Sequence, residues 1–154
     1  MSEKGRERLA RLMEQSLAGA GQHTRRIFGE HRLSLEEVEQ LLLSRGDRAV
    51  IATADLRARP HASVGSVLWL DGLLYLLGKR DSRRHRNLLE NPRVAIVVME
   101  GWKRQALIEG DVRPLDERDA KAILDEEERR YGWRDDAVFV VEPRKIFTYR
   151  SPRA

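Results

Sequence analysis

The run from Gly78 to Leu88 concentrates the groups in this chain best suited to chemistry. Five of the nine residues from Gly78 to Arg86 are Lys or Arg. They fall where a helix should begin: Asp81 or Ser82 can cap it, and Asn91-Pro92 ends it. A helix N-terminus offers free backbone N–H groups and the positive end of the helix dipole. Ser82 adds a hydroxyl, and Arg83 and Arg84 add planar charged forks that match phosphate oxygens. Together these are the groups that a terminal phosphate needs. On charge alone, a solvated basic helix face is the commoner outcome of such a run.

The other reactive side chains form no convincing set. His23, His31, His61 and His85 have no partner at metal-ligand spacing, so no metal site is expected. His61 falls on the second strand, where a core or surface role is the commoner outcome, and His85 follows the phosphate run, where it could touch a bound ligand. No Ser/His/Asp arrangement has the spacing of a nucleophilic triad, and no catalytic acid or base is assigned. The absence of Cys excludes disulfides, thiolate metal sites and cysteine nucleophiles. Among the tryptophans, Trp69 reads as core and Trp102 as an exposed turn or a dimer contact, and Trp133 could stack on a ring. The acidic run Asp125 to Glu128 reads as a solvated helix face.

The elements that must position the basic run are short strands. Ala49 to Thr53 is an apolar strand, and Asp55 to Arg59 is a turn. Pro60 opens a second strand through Trp69, Asp71-Gly72 is a hairpin signal, and Leu73 to Leu77 returns as the third. Val94 to Met99 and Arg104 to Arg113 follow the basic helix. Asp116 starts another helix, with Ala120, Ile123, Leu124 and Tyr131 on one face. Ala137 to Val141 and Ile146 to Tyr149 read as two closing strands broken by Glu142-Pro143. Upstream, Ser34 and Glu37 form a capping-box pattern ahead of a helix with Leu35, Val38, Leu41 and Leu42 on one side. Leu9, Leu12, Met13 and Leu17 mark a short amphipathic helix, and Gln22 to Arg32 has little periodicity. The expected division is an N-terminal helical arm, 1–32, and a barrel domain, 33–154. Helices do not alternate with strands, so the pattern favours a mainly β antiparallel barrel with flanking helices over a doubly wound sheet.

At 154 residues the chain can bury one sizeable core. Its net charge is +4, and only five of the 29 basic residues are Lys. This excess permits an anionic ligand without demanding one. The basic residues are not interleaved with aromatics on strands, which argues against a nucleic-acid reader. With no apolar run of membrane-spanning length and no signal core, no membrane association is expected and a cytoplasmic location is.

Ser82-Arg83-Arg84, then Asn87-Leu88, then Asn91-Pro92-Arg93-Val94 resemble the Ser-Arg-Lys…Asn-Pro-Arg-Val segment of the pyridoxamine 5′-phosphate oxidase-like superfamily, the FMN-binding split barrels. Arg104-Gln105-Ala106-Leu107-Ile108-Glu109-Gly110 resembles that family's Arg-Gln-apolar run on the next strand. Val50 to Thr53, Arg59-Pro60-His61 and the Asp71-Gly72 hairpin follow in the same order. The resemblance spans roughly residues 35 to 150.

The resemblance implies an antiparallel split barrel, a homodimer with cofactor sites at its interface, and an oxidoreductase whose flavin acts on a small-molecule substrate. Ser82, Arg83 and Arg84 match residues that grip the FMN phosphate, with Arg84 in place of Lys. Val64, Gly65, Ser66 and Val67 match the stretch along the flavin ring, Leu77 and Gly78 the strand end beside it, and Gln105 a Gln that reaches it. Val64 stands where the family carries Arg, and Leu77-Gly78 where it has Tyr or Thr. The chain has no Arg-x-His motif after Arg150, so oxidation of pyridoxine phosphate is not expected. The short form is similar to the branch containing reductases that use the deazaflavin coenzyme F-420. A related branch binds haem, which leaves haem as a further cofactor and a binding protein without turnover as a further reading.

Overall fold

A computed structural model describes residues 3–152 as six strands closed into a barrel, with helices at its ends and sides. Three helices precede the first strand: α1 (Glu3–Ala18), α2 (Gln22–Gly29) and α3 (Leu35–Arg45). β1 (Ala49–Ala54), β2 (Pro60–Leu70) and β3 (Leu73–Gly78) form a meander, and α4 (Arg83–Glu90) follows. β4 (Arg93–Glu100), β5 (Arg104–Pro114), α5 (Glu117–Tyr131) and β6 (Ala137–Arg150) complete the chain. The strand order around the barrel is β1-β2-β3-β6-β5-β4, and every pairing is antiparallel.

Local chemistry sets the element ends. Ser34 and Glu37 form the capping box reciprocally: each side chain accepts the other's backbone N–H. Asp71 and Gly72 both have positive φ, 51° and 78°, as a tight two-residue hairpin requires. Asp116 caps α5 by accepting from Asp119 N at 2.8 Å, and Gly132 at φ 82° ends it.

Two apolar clusters hold these parts together. The barrel interior joins Ile51, Val67, Leu76, Ile96, Val98, Ile108 and Ile146 with Val38, Leu41 and Leu42 of α3. Leu9 of α1 enters the same cluster, and Ser16 Oγ accepts from Ile146 N at 2.9 Å. At the opposite end of β1, Leu88 of α4 reaches the core and Asn87 Nδ2 donates to Thr53 Oγ1 at 3.1 Å. Outside the barrel, Ala120, Ile123 and Leu124 of α5 cover Leu68, Leu77 and Val138. Trp69 is buried, and its indole N–H meets Glu39 Oε2 at 3.0 Å.

Three expectations need correction. Glu142-Pro143 does not divide two strands; β6 runs unbroken from 137 to 150. Pro143 lies opposite Gly110, where the β5–β6 register shifts, and this bulge accommodates a residue with no N–H to donate. Gln22 to Gly29 is helical despite its weak pattern, because Phe28 packs on the rings of Phe147 and Tyr149, at 5.8 and 6.1 Å between centroids. The acidic run of α5 is not wholly solvated either: Glu127 is fully buried.

Candidate functional site

The barrel splits along β2. Residues up to Gly65 pair with β1, whereas residues from Ser66 onward pair with β3. Where the strand changes partners, a pocket of about 480 Å³ opens, floored by Ser63, Gly65, Ser66 and Gly78. The first turn of α4 forms one wall through Ser82, Arg83 and Arg84, and the loop after α5 forms another through Trp133 and Asp135.

Arg84 is the central group. It is only 8 % exposed, and its guanidinium donates to Ser63 Oγ at 2.9 Å and to Leu77 O at 3.1 Å. No ion pair satisfies it among the described residues. Burial pulls its pKa down, against the field of Asp135, yet an arginine keeps its charge in a protein. The result is a desolvated cation short of an anion. Two glycines make room for it: a Cβ on Gly65 or Gly78 would stand 2.6 or 2.5 Å from a guanidinium nitrogen.

Ser82 is the N-cap of α4, accepting from His85 N at 3.1 Å and donating its own proton to Lys79 O at 2.8 Å. Its hydroxyl therefore shapes the turn that aims the helix end. Arg83 is exposed beside it. Trp133, 43 % exposed, donates from Nε1 to Ser66 Oγ at 3.2 Å and leans on Tyr131, with the centroids 5.6 Å apart. Tyr131 is anchored by its hydroxyl donating to Val67 O at 2.7 Å, and burial pushes it up to about 12. His61 lines the pocket too, with Nδ1 buried and without a hydrogen-bond partner. His85 faces Phe139 instead, its centroid 5.1 Å away; burial, then Arg80, lowers its pKa.

Of the residues singled out in the sequence, Val64, Gly65, Ser66, Gly78, Ser82, Arg83 and Arg84 line this one pocket. Val67 and Leu77 are fully buried behind it, Leu77 taking part through its carbonyl oxygen. Gln105 lies elsewhere, on β5, paired with Met99 and Tyr149 across the barrel from β2. Ser63, Asp47 and Asp135 join the lining unforeseen, and Lys79 of the basic run joins it as well. The only signal for Asp135 was its place in the loop that Gly132 turns back after α5. A concavity of about 630 Å³ on the outer face of β1, β4 and β5 is also charged, but there Arg144 already pairs with Asp111 at 2.8 Å.

An antiparallel barrel split along one strand, with a basic helix end at the split, defines a class of fold. The family model described as pyridoxamine 5′-phosphate oxidase matches residues 34–150, and the chain belongs to that family. No curated protein matches the sequence. Among solved structures, a conserved hypothetical protein of Mycobacterium tuberculosis superposes with a TM-score of 0.69 at 19 % identity, covering 82 % of this chain and 91 % of that one. The haem storage protein HutZ of Vibrio cholerae gives 0.64 at 19 % identity, over 74 % and 93 %. A structure named F420 reductase gives 0.57 at 21 %, over 68 % and 92 %. These likenesses establish the fold.

Proposed function

We propose that the chain binds a flavin-type cofactor by its phosphate at the β2 split and works as an oxidoreductase on a small molecule, with FMN as the first candidate and the deazaflavin coenzyme F-420 as the alternative. One observation carries this reading: a buried arginine with no ion-pair partner among the described residues, set against two glycines beside the opening turn of a helix. That donor set fits a phosphate. Arg84, Arg83 and Lys79 would hold it, and the ring would lie toward Val64 to Val67 and Trp133. A bound flavin supplies the hydride chemistry itself. The chain's residues bind, orient and exclude water.

A second copy of the chain is the proposed partner. Val64, Val50, Val97 and Leu107 stand opposite one another across β2, β1, β4 and β5, in one outward row. Val64 is 69 % exposed and also lines the pocket. Gln105 lies two residues from Leu107 on the same outward face. Pairing two such faces would bury the apolar row and bring Gln105 to the other copy's pocket.

An absorbance spectrum before and after adding FMN tests the reading. Bands near roughly 370 and 450 nm that shift on binding are expected of a flavin held by protein. A protein that ignores both FMN and the deazaflavin coenzyme refutes it. The unpartnered Nδ1 of His61 in the pocket wall favours haem as a second reading. A haem band that appears on adding hemin and is lost in His61→Ala would select it instead.

A further inference from the structure

Glu127 is a charged residue type placed where nothing solvates it. It is fully buried, on α5. Oε1 accepts the backbone N–H of Asp135 at 2.6 Å, and Oε2 is buried with no hydrogen-bond partner. Burial first, and then the Asp135 carboxyl, push Glu127 up to about 8, with Lys79 acting in the opposite direction. Asp135 itself lines the pocket, 3.8 Å from Lys79 Nζ, and its field reaches Arg84. It is thus an acidic group set against Lys79 and Arg84, two of the three cations that the proposed phosphate would contact; Asp47 also lines the pocket. The titratable neighbours of Glu127 are Asp135 on the loop after α5, Lys79 after β3 and Tyr131 on its own helix.

We propose that Glu127 holds a proton in the pocket wall behind Asp135, and that binding of a phosphate-bearing ligand is coupled to that proton. Glu127 acts here as a positioning residue: it fixes the Asp135 backbone and sets how much negative charge the wall presents. With the proton, the pair carries one negative charge, and the incoming phosphate meets a basic pocket. Without it, the pair carries two, and Lys79 and Arg84 are already opposed. The phosphate disfavours the doubly ionised pair, so binding takes up a proton wherever that pair has begun to ionise. The proton comes from solvent and stays on the Glu127 carboxyl.

This inference rests on the phosphate reading above, and the experiment separates the two. FMN is titrated into wild type, Glu127→Gln and Asp135→Asn from pH 7 to 9.5, where the ligand phosphate is already a dianion (second pKa about 6). Wild-type affinity is expected to fall through this range, by at most about tenfold per pH unit for one proton. Glu127→Gln should bind with a flat profile, and Asp135→Asn, which removes one of the two negative charges, should bind more tightly than wild type at pH 9.5. Calorimetry at pH 8.5 in two buffers of different ionisation heat should show proton uptake in wild type and none in Glu127→Gln. The Gln side chain can still accept from Asp135 N–H, so its fold is expected to hold; Asp135→Asn, on the pocket wall, reads the same coupling independently. If FMN binds with a flat profile in wild type, or Glu127→Gln keeps the wild-type slope, or Asp135→Asn binds no more tightly than wild type at pH 9.5, the coupling is overturned while the phosphate reading stands. Wild type that binds neither FMN nor the deazaflavin coenzyme at pH 7 overturns both.

Discussion

Replacing Arg84 by Ala removes the buried cation and leaves Ser63 and the Leu77 carbonyl without its donors. Charge-assisted hydrogen bonds of this kind are worth about 1.5–3 kcal/mol, so FMN affinity should fall by roughly ten- to a hundredfold, read by flavin fluorescence. Gly78→Ala acts on the same group by force: its Cβ would displace the guanidinium, costing about 1–3 kcal/mol in a urea melt and weakening cofactor binding as well. Glu127 gives a pH signature of its own. The folded chain holds that proton up to about pH 8, whereas an ordinary glutamate releases it near 4.5. Between those values the folded state binds more protons, so stability falls as pH rises. Urea melts at pH 5, 7 and 9 should lose part of this slope in Glu127→Gln. At this scale the sequence was informative where charge density marked a helix start, as at Ser82 to Arg84. It was blind to Glu127 and Asp135, because an acidic run on a helix looks the same whether one member faces water or the core. It could not foresee the inward turn of Arg84 either, which depends on two glycines lying on different strands.

Among the elements, the β5–β6 pairing depends on one small residue. A Cβ on Gly110 would collide with the Glu142 carbonyl oxygen at the bulge. Gly110→Ala should therefore cost about 1–3 kcal/mol, seen as a lower urea midpoint, while cofactor affinity in the folded fraction stays near wild type, since Gly110 is remote from the pocket lining. The bulge also explains why β6 was legible as two halves only. Pro143 is a fair sign of a strand end in isolation, and only the partner strand shows how the ladder passes it. The remaining strands, the Ser34 capping box and the Asp71-Gly72 hairpin follow from local chemistry and were legible. α2 was not, because it buries no residue of its own and is held by Phe28 against rings far along the chain.

For the whole molecule, the barrel and its family could be read from the order of short motifs, since no single one was distinctive. The proposed pairing of two copies makes a direct prediction. Val64→Asp puts a charge at the most exposed member of the outward apolar row, and sedimentation should show the species shift to half its mass. The same variant should lose FMN affinity, because Val64 lines the pocket as well. A Leu73→Asp control, exposed but absent from that row, should change neither. No helix among the described residues is long and apolar enough to cross a membrane.

The closure of the barrel also fixes an order of events at the ribosome. β6 is the seam: among the described strands it alone joins β3 to β5, and it is the last of them to be made. Until it emerges, β3 and β5 present bare edges with unpaired N–H and C=O groups. The α4 turn that shapes the phosphate pocket is synthesised well before the loop bearing Trp133 and Asp135. A nascent chain halted near residue 136 should thus be sticky and unable to bind cofactor, and folding to the closed state should wait until β6 has emerged.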